Sequence, residues 1–129
     1  MDSCLYCDRK YQNSDRTVLE NDLWFVNYDN HPVARGHMKI IPKRHVNSIV
    51  ELTDEELLSM REIMQKAIQM IDEKFHPDGY NIGINHRRAA GQTKFHLHIH
   101  YIPRYEGDTD DPTGGVRNVF PDKGNYLQS

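Results

Sequence analysis

Phe95-His96-Leu97-His98-Ile99-His100-Tyr101 alternates apolar residues with histidine without a break. Strict period-two alternation marks a strand whose two faces see different surroundings, because successive side chains point to opposite sides of a sheet. A strand over 94–103 would turn Phe95, Leu97, Ile99 and Tyr101 to the core and His96, His98 and His100 to the other face, with neighbouring histidines about 6.5–7 Å apart. Such a strand needs a sheet. Residues 16–20 and 23–28 read as a hairpin turning at Asn21-Asp22, 37–42 as a third strand and 80–84 as a fourth. Between them Thr53 and Glu56 have capping-box spacing. Leu57, Met60, Met64, Ala67, Ile68 and Ile71 then recur at helical intervals as far as about Phe75, where Pro77 and Gly79 end the pattern. Strands, one long helix, then strands argue for α+β, with a mostly antiparallel five-stranded sheet packed by one long helix. A chain of 129 residues fits a single domain around one core. Residues 30–36 and 85–92 read as loops. Residues 105–129 form a tail rich in Asp, Gly and Pro that is expected either to wrap another surface or to be mobile.

Charge and termini narrow the function. Sixteen Lys and Arg stand against 19 Asp and Glu, a net charge of −3, which is not the footprint of a general nucleic-acid binder. An anion site must therefore be built locally. The start, MDSCLYCDRK, is polar and no apolar run reaches bilayer length, so neither a signal peptide nor a membrane span is expected and the protein is assigned to the cytoplasm. In that reducing compartment the Cys4-x-x-Cys7 pair points to metal or redox chemistry rather than a disulfide. The redox reading lacks the helix that should follow the second cysteine.

Three readings of the histidine row follow from its spacing. A solvated face would mix Lys, Glu, Thr and Ser instead of repeating one residue. A three-histidine catalytic metal site is possible in donor chemistry, though three collinear side chains rarely converge on one ion. In the third reading the labour is divided: a nucleophile, a partner that holds phosphate, and a structural neighbour. Imidazole suits the first of these roles because much of it is unprotonated at neutral pH.

The run GQTKFHLHIHYIPRY resembles the signature of the histidine-triad (HIT) family, in which three histidines alternate with apolar residues; His96, His98, His100, Tyr101 and Ile102 fill that pattern. Gly91-Gln92-Thr93 is similar to the G-Q-[ST] that precedes it. Gly36-His37 with Ile40-Ile41-Pro42-Lys43-Arg44-His45 resembles a second family block, and Asp29 and Pro32 the loop before it. The resemblance runs from Cys4 to about Arg104. It implies a HIT-like domain over 1–129, with a zinc-binding N-terminal segment at 1–10 and a homodimer whose sheets join. It implies a nucleotide phosphohydrolase or nucleotidyl transferase that cleaves at the α-phosphate of a dinucleoside polyphosphate or related purine nucleotide. The nucleophile would be His98, passing through a nucleotidyl-histidine. His100, Gln92 and Thr93 would contact phosphate, with Asn85 on the phosphate side. His37 would stand beside the nucleophile, and Asp29 would bind ribose. Cys4, Cys7, His45 and His96 would hold a structural Zn2+. An adenosine phosphoramidate hydrolase and a non-catalytic nucleotide-binding regulatory protein are the alternatives. Arg87 and Arg88 stand where the family carries a small, often acidic stretch. They suit either a more highly charged substrate or a solvated loop, and the role of Arg117 is equally open.

Overall fold

The computed structural model describes residues 4–128; residues 1–3 and 129, the ends of the expected domain, lie outside the described residues. Strands β1 (Thr17–Glu20), β2 (Trp24–Tyr28), β3 (Met38–Pro42), β4 (Gly79–Gly83) and β5 (Ile99–Arg104) form one sheet in the order β1-β2-β3-β5-β4. Every neighbouring pair is antiparallel. A one-turn helix α1 (Arg9–Gln12) precedes the sheet, and the long helix α2 (Asp54–Phe75) links β3 to β4. Four strands and the helix lie where the periodicity placed them. The N-terminal segment, expected to have no helix after its second cysteine, forms a 3-10 turn at Leu5–Cys7 followed by the one-turn α1.

Local chemistry sets these elements. The Asn21 carboxamide oxygen accepts from the N–H groups of Leu23 and Trp24, closing the β1–β2 turn, while its amide donates to the Ser59 carbonyl on α2. At the start of α2, Thr53 and Glu56 satisfy each other's backbone N–H groups, removing orphan donors that would otherwise cost about 1 kcal/mol. The same Glu56 carboxylate accepts two hydrogen bonds from Arg44 at 3.0 and 2.8 Å, which ties the chain just before His45 to the helix. The helix ends at His76 in a left-handed conformation, φ 54°.

One face of the sheet packs on α2. Trp24, Val26, Met38, Ile40, Ile99 and Tyr101 meet Ile63, Ala67 and Ile71 in the main core. The buried stripe of α2 is turned slightly from the expected one: Ile63 is inside, and Leu57 is exposed.

The opposite face carries the site. The registers pair Asn27 with Lys39 and Lys39 with His100. Continuing them by two residues along the same face gives the rows Phe25–Ile41, Asn27–Lys39–His100 and Asp29–His37–Ile102, with His98 two residues before His100 and outside the ladder. The N-terminal segment covers part of this face, with Tyr6 packing on Phe25 and Ile41, and Cys4 and Tyr11 beside them. Gln12 pins the cover by donating to the Tyr6 and Lys43 carbonyls.

The fifth strand departs from expectation. It begins at Ile99, not at 94, so only His100 of the three histidines lies in the ladder. The preceding residues are drawn toward the chain after β3: the Leu97 N–H donates to the Val46 carbonyl at 2.7 Å, and the His96 ring donates to the Pro42 carbonyl. Phe95 is exposed, and His96 and His98 are buried along with Leu97 and Ile99, so burial does not alternate along the row. The tail is built from three 3-10 turns, not shapeless chain. Arg117 holds it together by donating to the Gly124 and Lys123 carbonyls. Among the described residues, no helix is long and apolar enough to cross a membrane.

Candidate active site and metal centre

The three histidines of the row have different tasks. His96 donates through Nε2 to the Pro42 carbonyl at 2.7 Å, so its Nδ1 carries a free lone pair. That nitrogen lies 3.3 Å from the Sγ atoms of both Cys4 and Cys7. His45 Nδ1 lies 3.4 and 3.1 Å from the same sulfurs, and all four donor atoms fall within 4.8 Å of one another. A tetrahedral zinc ion with bonds of about 2.3 Å to sulfur and 2.0–2.1 Å to nitrogen needs sulfur–nitrogen separations of about 3.5 Å, so the donor set fits. Burial keeps the His96 ring neutral, with its pKa pushed down to about 4, and the Pro42 carbonyl orients it as an outer partner of a metal ligand does. Burial and the neighbouring Cys4 push the Cys7 thiol up to about 11. This opposes redox activity, which needs a thiolate; a bound cation would displace the thiol protons.

His98 donates from Nδ1 to the carbonyl of His96 at 3.0 Å. This fixes its tautomer, leaving Nε2 with an unprotonated lone pair. Burial lowers its pKa below the usual histidine value, and the Tyr6 ring stands edge-on to it at 5.3 Å. Its ring centroid is 5.2 Å from that of His100.

A directional chain of hydrogen bonds runs through the third histidine. The Val33 N–H donates to His37 Nδ1 at 3.1 Å, so the proton of neutral His37 sits on Nε2. That N–H faces His100 Nδ1 at 3.0 Å, which leaves the His100 proton on Nε2. Asp29 Oδ2 stands 3.5 Å from His37 Nε2 and 3.6 Å from His100 Nδ1. Burial opposes charge on Asp29, but the His31 N–H, His37, Lys39 and His100 outweigh it and hold its pKa below the usual carboxylate value. Burial lowers His37. It also pushes His100 down to about 4, with His98 and His37 adding to the effect. Asp29, His37 and His100 are close enough together to hold a cation. The Val33 donation puts a proton on the His37 nitrogen that would face the ion, so the cluster reads as a proton-ordered chain.

The other expected residues are placed differently. Gln92 is buried and its side chain is occupied within the chain: Oε1 accepts from the Arg87 N–H, and Nε2 donates to Asn47 Oδ1 and the Lys94 carbonyl. It braces the 87–94 loop. Thr93 is exposed and lines a pocket with Cys4, His45 and His96. Asn85 is exposed, two residues beyond Gly83, the residue paired with His100. Arg87 and Arg88 are exposed; Arg88 lies over the Phe95 ring, and Arg87 has φ 74°. The sequence reading missed Lys39, Asn27, Tyr6 and Tyr11. The one signal for Lys39 was its charge inside the apolar run Met38-Lys39-Ile40-Ile41.

Imidazoles ordered by carbonyl and amide groups on an antiparallel sheet, next to a two-cysteine, two-histidine cluster, define a histidine-triad domain. The sequence model of the HIT domain matches residues 10–107, and the chain belongs to the HIT family. It is 36% identical over 124 residues to an uncharacterized HIT-like protein of Methanocaldococcus jannaschii, covering 93% of this chain and 94% of that one. It is 37% identical over 94 residues to the AP-4-A phosphorylase of Mycobacterium tuberculosis, covering 72% of this chain and 48% of that enzyme, so the match spans about half of it. The crystal structure of a Zn-bound histidine triad family protein from Mycobacterium smegmatis has a TM-score of 0.72 and 32% identity, covering 85% of this chain and 81% of that one.

Acid should loosen this arrangement through His100. When folded it takes up its proton near pH 4, and when unfolded near its ordinary value of 6.5. Between these values the unfolded chain binds more protons, so stability falls as pH drops through the window. His100→Asn should lose less stability than the native protein between pH 7 and pH 4.5, measured by urea unfolding at each pH. Equal losses would exclude a buried, neutral His100.

Proposed function

We propose that this protein is a nucleotide phosphohydrolase or nucleotidyl transferase whose nucleophile is His98. The observation that carries this reading is the His98 Nδ1–H donated to the His96 carbonyl at 3.0 Å, which leaves Nε2 free to attack. In the first step Nε2 forms a bond to the α-phosphorus of a purine nucleotide, the bond to the leaving phosphate breaks, and that group departs with its electron pair. The enzyme is left as a nucleotidyl-histidine. In the second step water adds to phosphorus, the nitrogen–phosphorus bond breaks, a proton goes to solvent, and nucleoside monophosphate leaves. Splitting one displacement into two easier ones is the gain from covalent catalysis. With inorganic phosphate in place of water the product is a nucleoside diphosphate, the phosphorylase outcome named for the Mycobacterium tuberculosis relative.

The remaining residues serve that chemistry. His100 Nε2–H, set by the chain from Val33 through His37, donates to a phosphate oxygen. Fixed donors of this kind need no reorganisation as charge develops. Asp29 accepts from ribose hydroxyls, while Asn85 and Thr93 contact phosphate oxygens. Gln92 acts mainly by holding their loop. A structural zinc bound by Cys4, Cys7, His45 and His96 would tie the N-terminal segment to the sheet and fix the carbonyl that His98 uses. The β4 edge, with Tyr80 and Ile82 exposed, is an open strand of the kind proteins pair or cover, and supports a homodimer in which two sheets join there.

His98→Asn should reduce turnover of dinucleoside polyphosphates at least roughly 10³-fold while nucleotide still binds; a variant with native turnover would exclude His98 as the nucleophile. Protein prepared without chelator should contain one zinc per chain, and Cys7→Ser should lower the melting temperature by at least about 5 °C. Metal analysis finding none would sink the zinc assignment. Light scattering should give twice the chain mass of 15.1 kDa, and Ile82→Lys should give monomer. A native monomer would end the dimer reading.

A further inference from the structure

The middle row of the site face, Asn27–Lys39–His100, holds two buried polar groups that the chemistry above does not use. Lys39 is 5% exposed. Its ammonium donates to the phenol oxygens of Tyr6 at 3.1 Å and Tyr11 at 3.2 Å. Burial alone would lower its pKa, but the phenol contacts outweigh that and hold it charged. An ammonium has three N–H donors, so one is left without an acceptor among the described residues. Asn27 is fully buried, and neither its carboxamide oxygen nor its nitrogen has a hydrogen-bond partner among the described residues. The adjacent row has Phe25 and Ile41 at the corresponding positions, so apolar side chains suit this part of the sheet. An unpaired buried amide is destabilising, and no hydrogen bond among the described residues offsets it.

We propose that Asn27 and Lys39 form a base-reading subsite that prefers 6-oxopurine nucleotides, guanine or hypoxanthine, over adenine. The proposal rests on the reading of the protein as a nucleotide-binding enzyme. With the ribose at Asp29, the base attached to it reaches Asn27, two residues back along the chain, and Lys39 paired with it, while the 5′-phosphate extends the other way to His98. A carboxamide pairs with either purine edge, since it both donates and accepts. Lys39 decides between them: it can only donate, so it complements the O6 acceptor of guanine or hypoxanthine and opposes the N6 amino donor of adenine. The Tyr6 and Tyr11 rings, stacked at 5.5 Å with planes 21° apart, form the wall beside this row. Tyr11, half-buried on the four-residue helix α1, is the part of the cover that the base displaces.

The test is calorimetric binding of GMP, IMP and AMP to the full chain, which does not depend on turnover. GMP and IMP should bind at least about tenfold more tightly than AMP, and Lys39→Met should bring the three within about threefold. Purine riboside monophosphate, which lacks the 6-oxo group, should bind the native protein more weakly than IMP; this arm needs no variant and stands if Lys39→Met does not fold. Equal affinities, or an adenine preference, would overturn the proposal. So would a Lys39→Met variant that weakens all three nucleotides by one factor, because Lys39 would then be reading phosphate. Failure of every nucleotide to bind would remove the nucleotide-binding reading itself, and this inference with it.

Discussion

His96 is used at three atoms, and the rest of the site depends on all three. Its Nε2 donates to the Pro42 carbonyl, its Nδ1 faces the Cys4 and Cys7 sulfurs, and its own carbonyl takes the proton of His98. Each bond constrains the next. The Pro42 contact draws residues 95–98 off the sheet toward the end of β3. That displacement brings the His96 ring to the cysteines and turns its carbonyl to the His98 ring. A backbone carbonyl can only accept, so His98 has one available neutral tautomer, and its lone pair is at Nε2. A structural contact thus sets a chemical property two residues away.

Burial then keeps the ordered imidazoles neutral. Both faces of the sheet are covered, one by α2 and the other in part by the N-terminal segment, so the histidines are desolvated although they lie on the face away from the main core. Charged imidazolium is penalised there, and His96 and His100 fall to about 4. Neutral rings are what both a zinc ligand and a nitrogen nucleophile require. The same covering buries Lys39, which donates to the Tyr6 and Tyr11 phenols, and Asn27, whose carboxamide has no partner among the described residues. The desolvation that preserves the histidines is therefore also what leaves the Asn27 carboxamide buried.

Much of this was legible in the amino-acid order. The capping box at Thr53 and Glu56, the turn at Asn21, four of the strands and the long helix each follow from local periodicity and end signals, which do not depend on distant residues. The four donors Cys4, Cys7, His45 and His96 were identifiable by resemblance, and their side chains meet. Residues 94–98 were misread as strand because alternation records which side chains are alike, not where backbone hydrogen bonds go. The Val46 carbonyl that takes the Leu97 N–H is remote in sequence and leaves no local trace. Gln92 illustrates the same limit: its position is as expected, but Arg87, Asn47 and Lys94 occupy its polar atoms.

The sequence by itself determined the class of fold, the family and the set of histidines, since period-two and period-3.6 patterns and a dense motif are local properties of the chain. Tertiary structure alone decided which nitrogen of each histidine holds its proton, that Asp29, His37 and His100 form one ordered chain, and that Lys39 and Asn27 are buried beside it. Those outcomes depend on which carbonyls, amides and covering side chains arrive from elsewhere in the fold, and strand pairing and desolvation bring them there.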